Sequence, residues 1–356
     1  ENRVFADFIQ NYGNPTFRKK ILFVIDKGVT DIHPHLTAEI VAYFQTHSPA
    51  DLASEILVLP GGEVCKNDPR FYEEVIRALD EHGIDRHSFV ACIGGGAFLD
   101  MTGYAAAISH RGVKFIRIPT TVLSQNDSGV GVKNSVNYLG KKNFLGTFAP
   151  PVAVFNDYSF LESLGERDWR SGIAEAVKVS LIKDISFFTW LEDHAIAMNQ
   201  RDKTVMIEQI YRCASLHMQH IASGDPFELG SARPLDFGHW AAHKLEYLSD
   251  FKIRHGEAVA IGIALDSVYS HLMGYLTKEE VDRIVDLLQK LGFAIFHPAL
   301  AENDKVNLTN GLNEFREHLG GQLTITLLEK LGKGVEVHEM DFEIIKKSVD
   351  YLAQIA

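Results

Sequence analysis

The 356-residue sequence predicts an α/β protein: an N-terminal Rossmann-like parallel-sheet domain over residues 1–160 and a C-terminal, mostly helical domain over 161–356. Three observations predict it. Short apolar runs alternate with helical stretches through the first 157 residues, as strand–helix–strand units require. A glycine triplet, Gly94-Gly95-Gly96, joins one such run to the helix that follows. From Trp169 onward the apolar period turns almost wholly helical.

Each element has a local reason. Ile21–Asp26 (ILFVID) is a continuous apolar run closed by an acid, the pattern of a strand buried on both faces. His35–Gln45 has helical spacing, and Ser54–Pro60 (SEILVLP) is a second strand. Phe71–Gly83 is an amphipathic helix that stops at glycine. Ser88–Gly96 is a strand feeding the glycine loop, and Phe98–Ser109 is a helix of small residues. Lys114–Pro119 and Val152–Asp157 add strands, with SGVGVK and LGKKNFLG read as glycine-rich loops between them. The domain boundary falls near 157–168, and a ligand is expected in a cleft between the halves. Beyond it, helices are expected at Ser171–Leu191, Val205–Ala222, Phe237–Leu248, Gly256–Leu272, Lys278–Leu291 and Phe342–Ala353. A strand pair is expected at Leu323–Leu328 and Val335–His338.

Composition narrows the function. Hydrophobic residues at 46% and charged residues at 23% exclude a disordered or fibrous chain. A net charge of −12 argues against a general binder of nucleic acid or anionic membrane. Cys65, Cys92 and Cys213 have no CxxC spacing, which suits a reducing, cytoplasmic setting and offers no cysteine metal site. No apolar run approaches the ~20 residues that a membrane span needs.

Three groups of residues carry chemistry. The Gly94–Gly96 turn lets backbone approach a pyrophosphate at a helix N-terminus, although the GxGxxG pattern fails at Leu99. Asp26, at a strand end, suits a ribose hydroxyl and equally suits a plain turn. His239 and His243 lie four apart on one helical face, and His255 opens the next helix. Two or three of these with a carboxylate would make a metal site that keeps an open position. Glu175 is the candidate carboxylate, since its neighbours in SGIAEAVK are small or apolar. His217 and His220 read as ordinary helix-face residues. Arg111, Lys133, Lys142 and Asn143 gather around glycine turns, which together suggest a phosphate pocket, although any one lysine alone reads more commonly as solvated surface.

The ordered set of motifs GGGAFLDMTGYAAAISHRGVKFIRIPTTVLSQNDSGVGVKNSVN, LGKKNFLGTFAPP, GIAEAVK, DFGH and HGEAVAIG resembles the sugar phosphate cyclases, the superfamily of 3-dehydroquinate synthase and 2-epi-5-epi-valiolone synthase. The resemblance runs from about Ile21 to about Gly332. It implies a Rossmann-like NAD domain, a helical metal domain and a homodimer. It implies Glu175, His239 and His255 as ligands of zinc or cobalt, with His243 moved to the substrate side. Asp26, Glu63, Lys66, Gly95, Gly96, Asp100, Thr120 and Thr121 match NAD-contacting positions, beside the Gly94 turn. Asp127, Lys133, Lys142, Asn143, Lys178 and Arg111 match active-site positions, Arg111 arriving from the partner subunit. The implied reaction oxidises a phosphorylated ketose with NAD+, eliminates phosphate, returns the hydride and closes a carbocycle by an intramolecular aldol step.

Departures from the dehydroquinate synthase pattern set the expected substrate. Counting back from His239, the two basic positions that hold that enzyme's substrate carboxylate fall on Met218 and Ala232, and Asp236 replaces an Asn. Losing two cations and gaining an anion disfavours a carboxylate. The expectation is therefore a neutral heptulose phosphate such as sedoheptulose 7-phosphate. Against it stand Arg233, placed to compensate, and His243, where valiolone-type enzymes have Pro. SGVGVK replaces SSVGGK or ASVGAK, and FREHLGG, with Arg316 and His318, replaces a DKK-type run. A divergent 3-dehydroquinate synthase, an iron-type polyol dehydrogenase and a non-catalytic NAD-binding homologue are the alternatives.

Overall fold

The apolar runs of the first half become a parallel sheet covered on both faces. The computed structural model describes residues 2–223, 234–250, 252–318 and 321–356, in two units, Glu1–Leu164 and Gly165–Ala356. In the first unit the strands are β1 (Lys20–Asp26), β2 (Asp51–Leu52), β3 (Leu57–Leu59), β4 (Phe89–Gly94) and β5 (Lys114–Pro119). An antiparallel hairpin of β6 (Lys133–Tyr138) and β7 (Lys141–Phe148) follows, and β8 (Ala153–Val154) returns to the sheet. Its helices are α1 (Val4–Asn11), α2 (Lys27–Ile32), α3 (Leu36–His47), α4 (Pro69–Glu81) and α5 (Gly96–Ile108).

The sheet runs β2-β1-β4-β5-β8, with β3 also pairing β1, and every pair is parallel. Leu22 and Val24 pack with Val90 and Cys92 on one face. Ile21, Phe23 and Ile25 pack with Phe89, Ala91 and Ile93 on the other. Burial on both faces is why ILFVI is continuous rather than alternating. The strand order reverses between β1 and β4, so their carboxyl ends, Asp26 and Gly94, flank a topological switch point.

The hairpin corrects the reading of SGVGVK and LGKKNFLG as loops. Lys133 begins β6, and Lys142 and Asn143 lie in β7. Most of β7 is exposed, so it carries no apolar alternation to announce it.

The second unit holds α6 (Glu166–Ser171), α7 (Ile173–Lys183), α8 (Ile185–Asn199), α9 (Lys203–Ala222), α10 (His239–Leu248), α11 (His255–Leu272), α12 (Lys278–Lys290), α13 (Val306–His318) and α14 (Phe342–Ile355). The antiparallel pair β9 (Ile325–Lys330) and β10 (Lys333–Val337) completes it. Helix α11 is the hub, buried without a break from Ala258 to Ser270 and packed by α7, α10, α12, α14 and β9. The single helix expected over Ser171–Leu191 is broken at Asp184. That residue is extended (φ −151°, ψ 95°), and its carboxylate accepts from Ser186 N at 2.9 Å and Phe187 N at 3.1 Å, capping α8. No helix among the described residues is long and apolar enough to cross a membrane.

Candidate functional site

In the second unit, the starts of three helices bring Glu175, His239 and His255 together. Glu175 lies in the first turn of α7, while His239 and His255 open α10 and α11. Glu175 Oε1 is 3.7 Å from His239 Nε2 and 3.5 Å from His255 Nε2. Tetrahedral bonds of about 2.0–2.2 Å would space ligand atoms roughly 3.3–3.6 Å apart, so the set fits one zinc-like cation. Glu175 is fully buried, and apart from its ion pair with Lys178 neither oxygen has a hydrogen-bond partner among the described residues. A carboxylate left this way is shaped for a cation.

Lys178, one turn further along α7, is buried and ion-paired with Glu175. Burial pushes the Glu175 carboxyl up, but Lys178 and both imidazoles outweigh it and hold the group well below the usual carboxylate range. Burial and the Lys178 charge keep His239 neutral, the state that a metal ligand needs. His255 differs: burial lowers it, while Glu175 and Glu246 beside its ring raise it to about 9. His255 Nδ1 is 3.3 Å from Glu246 Oε2, which leaves Nε2 facing Glu175.

His243 does share the face of His239, with ring centroids 5.6 Å apart, and lies 6.0 Å from the His255 ring. It is exposed, and with Glu246 and His255 it forms a second cluster of ligand-type atoms that shares His255. Asp236 is half-buried in the turn before His239, and Met218 is 62% exposed on α9. Arg316 is exposed on α13. Ala232 and Arg233 lie outside the described residues.

In the first unit, Gly95 caps α5 and Gly96 begins it. Gly94 and Gly96 are closely walled: a Cβ on Gly94 would lie 2.7 Å from Phe98, and one on Gly96 2.5 Å from Ser128 Oγ. Asp26 Oδ1 accepts from Gly28 N at 2.8 Å, capping α2, while Oδ2 makes no hydrogen bond among the described residues. Burial pushes this carboxyl up. One oxygen thus serves the turn, and the other is left open at the end of β1. Such an acid and such a glycine turn at a switch point fit a dinucleotide.

The other expected residues of this unit divide. Lys66 is buried and donates to Asp100 Oδ2 at 2.9 Å, Ser135 Oγ at 3.1 Å and Asn143 Oδ1. Thr120 and Thr121 follow β5, where Thr120 N donates to Gly94 O at 3.1 Å. Glu63 is exposed in the turn before Lys66, and Asp127 is half-buried in the turn Ser124–Ser128. Lys133, Lys142 and Arg111 are exposed, Arg111 with a left-handed backbone (φ 64°).

Two residues escaped the sequence reading. Arg117, fully buried in β5, binds the segment that carries Lys133. Asp266, fully buried in α11, accepts hydrogen bonds from both neighbours of His239. The signal that marked Glu175, a charge inside an apolar run, was present at both: KFIRIP and GIALDSV.

The fold is that of the dehydroquinate synthase-like sugar phosphate cyclases. The chain belongs to the 3-dehydroquinate synthase family, whose N-terminal model matches residues 56–171 and whose C-terminal model matches residues 172–311. It is 35% identical to the 3-dehydroquinate synthase of Acinetobacter baylyi over 83% of this chain and 80% of that one. It is also 35% identical to that of Halorhodospira halophila, over 89% and 90%. Among solved structures it resembles ValA, the 2-epi-5-epi-valiolone synthase of Streptomyces hygroscopicus subsp. jinggangensis with NAD+ and Zn2+ bound (TM-score 0.87, 29% identity, 100% and 96% of the two chains). It also resembles a 2-deoxy-scyllo-inosose synthase complexed with carbaglucose-6-phosphate, NAD+ and Co2+ (TM-score 0.77, 25% identity, 97% and 94%).

Proposed function

We propose that this enzyme is an NAD- and metal-dependent sugar phosphate cyclase, a phosphate-eliminating lyase that acts on a heptulose phosphate lacking a carboxylate, such as sedoheptulose 7-phosphate. The observation that carries the reaction class is the convergence of Glu175, His239 and His255, with Lys178 paired to the carboxylate. When bound, NAD+ supplies reversible hydride transfer and zinc or cobalt supplies positive charge at the oxidised oxygen. Glu175, His239 and His255 hold the cation. Asp26 and the Gly94–Gly96 turn hold the dinucleotide, with Glu63, Lys66, Asp100, Thr120 and Thr121 around it. Lys133, Lys142 and Asn143, with Arg111 of the partner subunit in a homodimer, take the phosphate and stabilise its charge as the carbon–oxygen bond breaks. Asp127, Asp236 and His243 orient hydroxyl groups of the sugar. The cofactor ends as it began, and the products are a cyclitol ketone and inorganic phosphate.

The substrate choice rests on the lack of a cation at Met218 and the acid at Asp236. A substrate carboxylate desolvated beside Asp236 would cost several kcal/mol by order of magnitude. The likeness to ValA supports this reading. The second reading, a divergent 3-dehydroquinate synthase, is favoured by the 35% identical relatives and by His243. Phosphate release and product mass decide between them. Turnover of sedoheptulose 7-phosphate without turnover of 3-deoxy-arabino-heptulosonate 7-phosphate is expected, and the reverse result establishes the second reading.

A further inference from the structure

We infer that Asp266 is the positioning residue for His239: its buried carboxylate on α11 clamps the two residues that flank this ligand. The inference rests on the proposed metal set. Asp266 Oδ2 accepts from Gly238 N at 3.0 Å, and Oδ1 accepts from Trp240 Nε1 at 2.9 Å. Asp266 is 0% exposed, and no cation pairs with it among the described residues. A carboxylate taken from water with two N–H partners and no cation costs stability, so its presence calls for a role that offsets the cost.

What it serves is the entry to α10. Gly238 precedes His239 with φ +76° and supplies no side-chain cap, so Asp266 is the distant acceptor for an N–H at the helix start. The two helices meet backbone to backbone there. A Cβ on Gly262 would lie 2.0 Å from Gly238 O, and one on Gly238 would lie 2.7 Å from Ile263 N. His239 Nδ1 lies 3.0 Å from Phe237 O, which turns Nε2 toward Glu175. The ring is therefore aimed by the backbone at the start of α10, and Asp266 holds the Gly238 N–H on one side of the ligand and the Trp240 indole on the other. Asp266 belongs to the helix that His255 opens, so one rigid element registers both imidazoles.

The test compares wild type with Asp266→Asn and Trp240→Phe. The amide keeps the shape of Asp266 but offers one acceptor for two donors, and the Phe removes the indole donor together with part of a buried ring. Ser267→Ala is the control, since Ser267 is buried on the same helix and its hydroxyl donates only to Ile263 O. Zn2+ affinity is measured by chelator competition, the Co2+ absorption spectrum reports ligand geometry, and NAD+ titration reports the first unit. Both clamp variants are expected to bind Zn2+ about 10–100-fold more weakly, as loss of an outer support does. Their Co2+ bands should shift while NAD+ affinity stays at the wild-type value. Zn2+ affinity within twofold of wild type with an unchanged Co2+ spectrum overturns the inference. So does an equal loss in Ser267→Ala at equal thermal stability. Wild-type protein that binds neither metal refutes the metal-site reading itself.

Discussion

The Lys66 ammonium, buried at the end of its turn, donates to the Asn143 side chain. A residue assigned to the cofactor and one assigned to the substrate phosphate thus share one hydrogen bond. Asn143 holds a left-handed backbone (φ 55°), and its own N–H donates to Asn137 Oδ1 at 2.8 Å. The end of the β6–β7 hairpin is thereby pinned to the Glu63–Lys66 turn.

Asn143→Ala should therefore lower stability as well as turnover. It removes one of three oxygens from a buried cation, a loss of about 1–3 kcal/mol. Asn143→Gly should recover the backbone part and leave the hydrogen-bond part missing. Urea unfolding measures both, and an Ala variant as stable as wild type would show that the bond contributes nothing.

Gly61 tests the cofactor end. A Cβ there would lie 1.9 Å from Asp26 Oδ2, so Gly61→Ala must displace the carboxylate proposed for the ribose. Overpacking of this kind costs about 1–3 kcal/mol, which corresponds to roughly 5–150-fold in NAD+ affinity. Isothermal titration with NAD+ should show that loss while metal content is unchanged. An affinity equal to wild type would remove Asp26 from the ribose site.

Asp266 gives a pH signature. Burial pushes its carboxyl up to about 7, against the pull of its two N–H donors. In the unfolded chain it titrates near ~4. Between those values the folded state binds the extra proton, so raising the pH disfavours folding through this group. The stability of metal-free wild type relative to Asp266→Asn should fall from about pH 4 to about pH 7 and then level off. Urea midpoints across that range check it, and parallel curves would contradict it.

How much of this was legible depends on whether burial leaves a period in the sequence. The sheet was readable because β1 and β4 are buried on both faces and so appear as unbroken apolar runs. The hairpin was not, because β7 turns mostly exposed residues outward and carries no alternation. The break at Asp184 was hidden because ISFFTWLEDHAIAMN continues a helical composition on the far side. At the site, Glu175 stood out as a charge among apolar neighbours, and His239 and His255 by their nearness in sequence. Spacing alone also offered His243, which does lie beside them; only the family resemblance set it apart. Glu246, seven residues after His239 on α10, looks like an ordinary helix acid until α11 folds back and sets His255 against it.

Arg117 supports the segment proposed to meet the substrate from inside the sheet. Its guanidinium donates to Ser128 O at 3.2 Å, Gly129 O at 3.1 Å, Gly131 O at 2.7 Å, Lys133 O at 2.9 Å and Asn134 Oδ1 at 2.8 Å. These acceptors span the segment between Asp127 and β6, so one planar group shapes the path that presents Lys133. A lysine cannot reproduce this, because a single ammonium with three donors cannot span five acceptors held in a fork. Arg117→Lys should leave buried carbonyls unpaired, at about 1–3 kcal/mol for each group stranded. It should also raise KM for the phosphorylated substrate and lower kcat, while zinc content and the Co2+ spectrum of the second unit stay as in wild type. Steady-state kinetics with metal analysis on the same sample checks this. If KM and kcat are unchanged in a protein that has lost stability, Arg117 supports the fold alone and the loop finds its shape without it.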